Sequence, residues 1–426
     1  MPDQTTIDRI LAAVDELFDE QIAFTQALVR FPSVRGAEHT AQDFIHDAMR
    51  ARGLAIDRWT VDVEAIRHHP GFSPVAVSYE NAINVVGTFR PDRQTGRSLI
   101  LNGHMDVVPT GPLEHWTAPP FEPRIADGWL HGRGSADMKA GLAANLFAFD
   151  AIRRAGFLPA APIYFQSVVE EECTGNGALA CLVRGYQADA ALIPEPEDDK
   201  LVRANTGVLW FKVRVEGRPT HTRVMGEGAN AIDAAYRVIA ALRELEARWN
   251  DDRRRHRYFE DLAHPINLNI GRIEGGDWAS SVPAWCTFEA RIAIYPGTTA
   301  EAAAEEIRAC IRQAASGDAF LGNHPPAVEF HGFFAEGYVL PEGTEAEATL
   351  ARSFATVHSR SLESFVTPGY LDARVFMLYA GTPCLVYGPV SEDIHGYDER
   401  VSLDSVRRVT KTIALFIADW CGLSRP

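Results

Sequence analysis

Apolar residues recur at three- and four-residue spacing from Ile7 through Ile10, Leu11, Val14, Leu17 and Phe18, which predicts an amphipathic helix over 7–30. The same period marks helices at 40–52, 138–155 and 175–184, with Gly156 as the stop of the 138–155 helix. Short apolar runs near 54–61, 83–89, 97–103, 161–169 and 189–194 have the length of buried strands. Helix and strand alternate, so the pattern predicts an α/β layer with a mixed, mostly parallel sheet. The grammar changes at Gly207. Strands are expected at 208–215, 266–273, 286–294 and 328–333, with helices at 230–250 and 299–315. That order is βαββαβ, a ferredoxin-like α+β unit. After Gly337 the α/β pattern returns. The expected organisation is one α/β domain in two parts, 1–207 and 335–426, interrupted by a compact insertion at 208–334.

Composition narrows the partners. With 41 Lys and Arg against 57 Asp and Glu, the formal net charge is −16, which argues against nucleic acid as a ligand. No run of about 18 apolar residues occurs, so no membrane-spanning helix is expected. The first residues have no signal-peptide pattern. The six cysteines, Cys173, Cys181, Cys286, Cys310, Cys384 and Cys421, are scattered without a Cys-x-x-Cys. That spacing fits reduced thiols in a cytoplasmic protein better than a disulfide framework or a zinc ribbon. Cys173 lies near the suspected site but has no base beside it, so it reads as a neighbour.

The chemistry sits at the ends of the predicted strands. In SLILNGHMDVVP, His104 and Asp106 stand two residues apart, which on extended backbone puts both on one face. His104 reads as a metal ligand and Asp106 as the carboxylate that orients it. Asp137 follows the small-residue loop GRGSA and opens a helix, where it is either an ordinary N-cap or a carboxylate that bridges two metals. Glu170, Glu171 and Glu172 end the 161–169 strand. Consecutive acids there face opposite ways, so one can bind metal while the next reaches water. Glu195 lies between two prolines after another buried strand, and His395 occupies a polar loop after CLVYGP. Each residue alone has a plain structural explanation. Together they all follow predicted parallel strands, where open α/β sheets build their sites. His104, Asp137, Glu172, Glu195 and His395 thus form a five-residue set for two divalent metals. Three carboxylates leave one positive charge for a hydroxide to neutralise.

The chain resembles the co-catalytic zinc hydrolases that include acetylornithine deacetylase, succinyl-diaminopimelate desuccinylase, aminoacylase and the glutamate carboxypeptidases. LNGHMDVVP, W-x3-PFEP-x3-DGWLHGRGSADMKAG, VVEEECTGNGA, PEP, the Asp-Ala-Arg of 372–374 and His-x2-Asp-Glu at 395–399 carry the resemblance, in family order over essentially the whole chain. It implies a zinc-peptidase-like catalytic domain and a lid that also dimerises. It implies two Zn2+, with Co2+ or Mn2+ as substitutes. One metal would lie on His104, Asp137 and Glu195, the other on Asp137, Glu172 and His395. It further implies Glu171 as general base, Asp106 as orienter of His104, and a cis peptide after Asp137. His221 matches a residue that reaches the partner subunit's site in a homodimer and polarises the scissile carbonyl; its other reading is a turn residue capping the first lid strand. Arg291 matches a lid arginine that holds a substrate carboxylate, or is a surface arginine on an amphipathic strand. Arg374 is a substrate contact or a structural ion pair. Two departures touch the substrate side. Ser281 replaces the asparagine usual two residues before the lid proline, and Pro368-Gly369-Tyr370-Leu371 replaces Gly-Gly-Thr, so Tyr370 is expected at the pocket.

The implied activity is hydrolysis of a small N-acyl amine, with an N-acyl amino acid as the leading substrate. The alternatives are a metallo-carboxypeptidase or dipeptidase, a deformylase of an N-formyl aminopyrimidine and, in another class, a non-catalytic metal-binding scaffold. The presence of Glu171 argues against the scaffold, because a structural metal site needs no base.

Overall fold

The computed structural model describes residues 1–425; Pro426, the last residue of the expected 335–426 segment, lies outside the described residues. Its larger sheet has the order Ala55–Thr60, Ile83–Phe89, Ile163–Val168, Leu99–His104, Ala190–Ile193, Cys384–Val386. Only the Ile83–Phe89 strand runs against the other five. The sheet is therefore mixed and mostly parallel, as the apolar runs predict. The Leu99–His104 strand pairs with Ile163–Val168 on one side and Ala190–Ile193 on the other. The chain thus reverses its direction of growth at this strand, and such a switch point opens a crevice at the carboxyl ends of the strands.

All six residues of Leu99–His104 are buried, which explains the unbroken apolar character of its first half. Helices Gln4–Val29, Ala140–Arg154 and Leu403–Trp420 join these strands in one large core. Ala140–Arg154 carries Gly141 where the chain passes close to the Pro194–Pro196 segment. A Cβ on Gly141 would stand 2.2 Å from the Pro194 carbonyl, and one on Gly388 would stand 2.0 Å from the Glu195 carbonyl. These two glycines let the backbone pack tightly around Glu195.

The second large sheet has the order Leu268–Gly275, Trp285–Ile294, Gly207–Glu216, Ala327–Ala335, all antiparallel. Helices Ala231–Asp251 and Ala300–Ser316 complete the βαββαβ order, as expected for a ferredoxin-like unit. Asn230 caps the first by accepting the N–H of Ile232 and Asp233, and Thr299 caps the second through Ala302. Alternate residues Leu209, Phe211, Val213 and Val215 pack with Val238, Leu242, Ile307 and Ile311 of the helices. The residues between them, Trp210 first, face the other side of the sheet.

Some elements differ from expectation. The helix expected from 138 begins at Ala140, because Asp137 and Met138 have non-helical dihedrals inside a wide turn over Ser135–Lys139. Strand Leu201–Asn205 pairs with Ser364–Thr367, and a four-stranded sheet joins Arg124–Ala126, Trp129–His131, Arg400–Ser402 and Ser391–Glu392. Most of these strands have two to four residues, too short to show a hydrophobic period. Among the described residues, no helix is long and apolar enough to cross a membrane.

Candidate active site

His104 closes its strand, 1 % exposed, with Nε2 3.0 Å from Asp137 Oδ1 and 3.6 Å from Glu195 Oε1. His395 approaches from a left-handed loop position (φ 61°), with Nε2 3.2 Å from both Asp137 Oδ2 and Glu172 Oε2. Asp137 therefore touches both imidazoles, one with each oxygen. The ligand atoms of His104, Asp137 and Glu172 lie within 4.8 Å of one another, and so do those of His104, Glu171 and Glu195. The fold brings together all five expected ligands and Glu171.

Asp106 sits differently from expectation. The group nearest His104 Nδ1 is the Asp106 backbone carbonyl, at 2.9 Å; the Asp106 carboxylate is 3.7 Å away. That carboxylate instead accepts the backbone N–H groups of Glu171 (3.3 Å) and Glu172 (3.0 Å). The amides of the turn compete for it and win, so Asp106 holds the acidic turn while its own carbonyl orients the imidazole.

The Asp137 loop has a similar clamp. Glu399, fully buried, accepts the N–H groups of Gly134, Ala136 and Asp137 and an N–H of Arg133 at 2.6 Å. The Asp137–Met138 peptide is cis, as the resemblance implies. The sequence alone assigns Glu399 no role. Its signal was the acid that ends His-x2-Asp-Glu, a polar residue inside an otherwise loop-like motif.

The electrostatics are those of a cation site. Burial pushes His104 down, but the charge of Glu195 and contacts with Asp137 and Glu195 hold it well above its ordinary value. His395 is raised to about 11, chiefly by Glu172. Burial raises Asp137, yet the two histidines hold it well below the carboxylate range. Glu195 is raised to about 7 by burial, and burial with the charges of Glu195, Asp372 and Glu172 holds Glu171 well above the usual range. Two buried oxygens, Glu172 Oε1 and Glu195 Oε1, have no hydrogen-bond donor. An orphaned buried carboxylate oxygen is costly unless a cation takes its lone pair. Two imidazoles with several carboxylates is a donor set that suits zinc and also cobalt or manganese.

Above these groups opens a cavity of about 780 Å³, reached by Glu171, Glu172, Glu195 and His395 from one side. Trp210 and Arg291 of the second sheet, directly paired across strands, line it from the other. Phe333 lies between Trp210 (ring centroids 5.1 Å apart) and Tyr370 (4.3 Å), so three aromatic rings form one continuous wall. The Tyr370 hydroxyl donates to Asp372 at 2.9 Å. Arg291 donates to the Pro368 carbonyl and meets no carboxylate among the described residues.

Two expected substrate contacts, Arg374 and Ser281, are absent from the cavity wall, and so is His221, which was expected to serve a partner's site. Arg374 is wholly buried, donating to Glu336 at 3.0 Å and to the Tyr379 hydroxyl at 2.8 Å, so the ion-pair alternative holds. His221 is exposed and its Nδ1 accepts the Arg223 N–H, capping its own turn. Ser281, also exposed, forms a backbone bridge with His221 at that same outer edge, away from the cavity of its own chain.

The sequence model of peptidase family M20/M25/M40 matches residues 100–419. An N-formyl-4-amino-5-aminomethyl-2-methylpyrimidine deformylase of Halalkalibacterium halodurans is 28 % identical, over 99 % of this chain and 99 % of that protein. A succinyl-diaminopimelate desuccinylase of Stenotrophomonas maltophilia is 32 % identical, over 72 % of this chain and 80 % of that protein. A dipeptidase structure from Saccharomyces cerevisiae superposes with a TM-score of 0.77 at 17 % identity, covering 97 % of this chain and 98 % of that one.

Proposed function

This chain belongs to peptidase family M20/M25/M40, and from that premise we propose that it is an amide hydrolase of the deacylase type that removes a small acyl group from a flat, nitrogen-bearing heteroaromatic amine such as an N-formyl aminopyrimidine. The observation that carries this reading is the wall of Trp210, Phe333 and Tyr370 facing the carboxylate cluster. A cavity wall of aromatic side chains, here edge-to-face at Trp210–Phe333 and tilted at Phe333–Tyr370, favours a planar ring over an aliphatic amino acid. The deformylase relative, similar over almost its full length, supports the same class. A second reading, an N-acyl amino acid, is favoured by Arg291, a guanidinium with no acidic partner in the cavity.

In this reading His104, Asp137 and Glu195 would hold one Zn2+, and Asp137, Glu172 and His395 the other. When bound there, such ions would supply a lowered pKa for water and polarisation of the acyl carbonyl. Glu171 reaches the cavity with a carboxyl that holds a proton readily. It takes a proton as water adds to the acyl carbon, then passes it to the amine nitrogen as the C–N bond breaks. Asp106 fixes the Glu171–Glu172 turn through its two amides. Residues 1–207 and 335–426 form the catalytic part and 208–334 the lid. Two chains pair through the lids, so that His221 of one, with Ser281 beside it, serves the site of the other as an oxyanion donor.

The test is a hydrolysis panel on metal-loaded enzyme. The N-formyl aminomethylpyrimidine should exceed N-acetyl and N-succinyl amino acids in kcat/KM by at least about tenfold. Chelation should abolish turnover, and Zn2+ or Co2+ should restore it. A preference for N-acyl amino acids would select the second reading. Full turnover by metal-free protein would sink the two-metal mechanism.

A further inference from the structure

Glu170, the first of three consecutive acids, has no part in the chemistry above, yet it is 2 % exposed and among the most heavily hydrogen-bonded acids of the chain. Its φ is 68°, a left-handed conformation that non-glycine residues seldom adopt. Its backbone carbonyl accepts the N–H groups of Cys173 (3.3 Å), Thr174 (2.9 Å) and Gly175 (2.7 Å), which closes the turn holding Glu171 and Glu172. Its carboxylate receives a two-pronged contact from Arg35, Nε at 2.5 Å and an Nη at 2.7 Å. The Tyr79 hydroxyl (2.6 Å) and the Thr174 hydroxyl (3.0 Å) also donate to it, both to Oε2.

These partners are anchored to the rest of the site. Val34, next to Arg35, bridges Val107, and the Ser33 hydroxyl donates to the Met105 carbonyl at 2.7 Å. Arg35 is thereby tied to the strand end that carries His104 and Asp106. The Tyr79 hydroxyl accepts from Asn176 at 3.1 Å, and Asn176 also clasps both backbone groups of Ser73. The Ser73 hydroxyl in turn accepts the N–H of Phe334 in the second sheet, one residue from the aromatic wall. A salt bridge serving stability alone needs none of this convergence on the one turn from Glu170 to Gly175.

We propose that Glu170, held by Arg35 and Tyr79, is a positioning residue for hydrolysis: it locks the turn so that Glu171 faces the cavity while Glu172 faces Asp137 and His395. Asp106 grips the same turn through the amides of Glu171 and Glu172, and Glu170 grips it from the opposite end. The proposal rests on the reading of Glu171 as the proton carrier.

The experiment compares Glu170→Gln and Tyr79→Phe with Glu171→Gln in the full metal-loaded chain, reading kcat, KM, bound metal per chain and melting temperature. Glu170→Gln should lower kcat about 10–100-fold, the range seen when an outer partner of a metal site is lost. KM should stay within about twofold and metal content should equal wild type. Tyr79→Phe should move kcat the same way by less, and it carries the comparison should Glu170→Gln not fold. A wild-type kcat in both variants beside an inactive Glu171→Gln overturns the positioning role alone. So does metal lost in step with kcat, or a raised KM at unchanged kcat. An active Glu171→Gln removes the proton-carrier reading, and the proposal with it.

Discussion

At the scale of single residues, Arg374 shows how one side chain can satisfy a motif and yet do something else. It lies in the Asp-Ala-Arg sequence that also supplies Asp372 to the site, but its guanidinium is 0 % exposed and faces Glu336, Tyr379 and the Gly71 carbonyl. Asp372, by contrast, is raised to about 8 by burial and feels the charges of Asp106 and Glu195. Breaking a buried pair leaves a charge uncompensated, which costs about 3 kcal/mol or more. Arg374→Met is therefore expected to lower stability by about that amount in urea unfolding, while KM stays within about twofold. A tenfold rise in KM at unchanged stability would return Arg374 to the substrate. The acidic and imidazole cluster itself was legible because residue type and strand-end position coincide for His104, Glu172 and Glu195. Arg374 was not, because nothing in a linear motif says which way a side chain turns once its helix packs.

At the scale of elements, legibility followed length. The helices at 4–29, 231–251 and 300–316 carry enough turns for their period to show, and the buried strands carry unbroken apolar runs. The four-stranded sheet around Trp129–His131 was invisible, since two or three residues cannot display a period. It matters all the same, because it leads Glu399 to the Asp137 loop: Arg400 pairs with His131 next to that residue. Asp106 was half legible: its place beside His104 follows from spacing, but its choice of backbone amides follows only from the fold. Helix Glu345–His358 offers a test at this scale. His358, its last residue, stacks on Phe354 at 3.9 Å and lies 3.2 Å from the Tyr387 hydroxyl. Burial, with help from Arg408 and Arg360, lowers its pKa from 6.5 to about 4. The unfolded chain therefore binds a proton in the window between those values that the folded chain refuses. Its stabilising contribution is complete above the higher value and is lost as pH falls through the window. Wild type should lose more stability than His358→Gln between pH 7.5 and pH 4.5, measured by urea unfolding at both. Parallel losses in the two proteins would show that native His358 takes up its proton as readily as the unfolded chain does.

At the scale of the whole molecule, the arrangement of the second sheet poses a question that one chain leaves open. Its helix-free face closes the cavity with Trp210 and Arg291, while His221 and Ser281 stand on an outer edge of the same unit, exposed and bridged to each other. Exposed apolar residues lie close by in sequence: Met225, 59 % exposed, follows His221, and Trp278, 73 % exposed, precedes Ser281. Large exposed apolar side chains at a sheet edge favour burial against another surface, and a second copy meeting it through a twofold axis is the simplest partner. If the partner's cavity receives His221, each active site needs groups from two chains. Two defective variants, Glu171→Gln and His221→Ala, then complement each other. A mixed dimer holds one site with Glu171 from one chain and His221 from the other, both intact, and one site lacking both. Random exchange puts half of the chains into mixed dimers, so mixing equal amounts of the two inactive proteins should restore about a quarter of wild-type turnover. Restoration should depend on time and concentration, as subunit exchange does. If the mixture stays as inactive as its parts while size-exclusion chromatography shows exchange, His221 acts within its own chain or not at all.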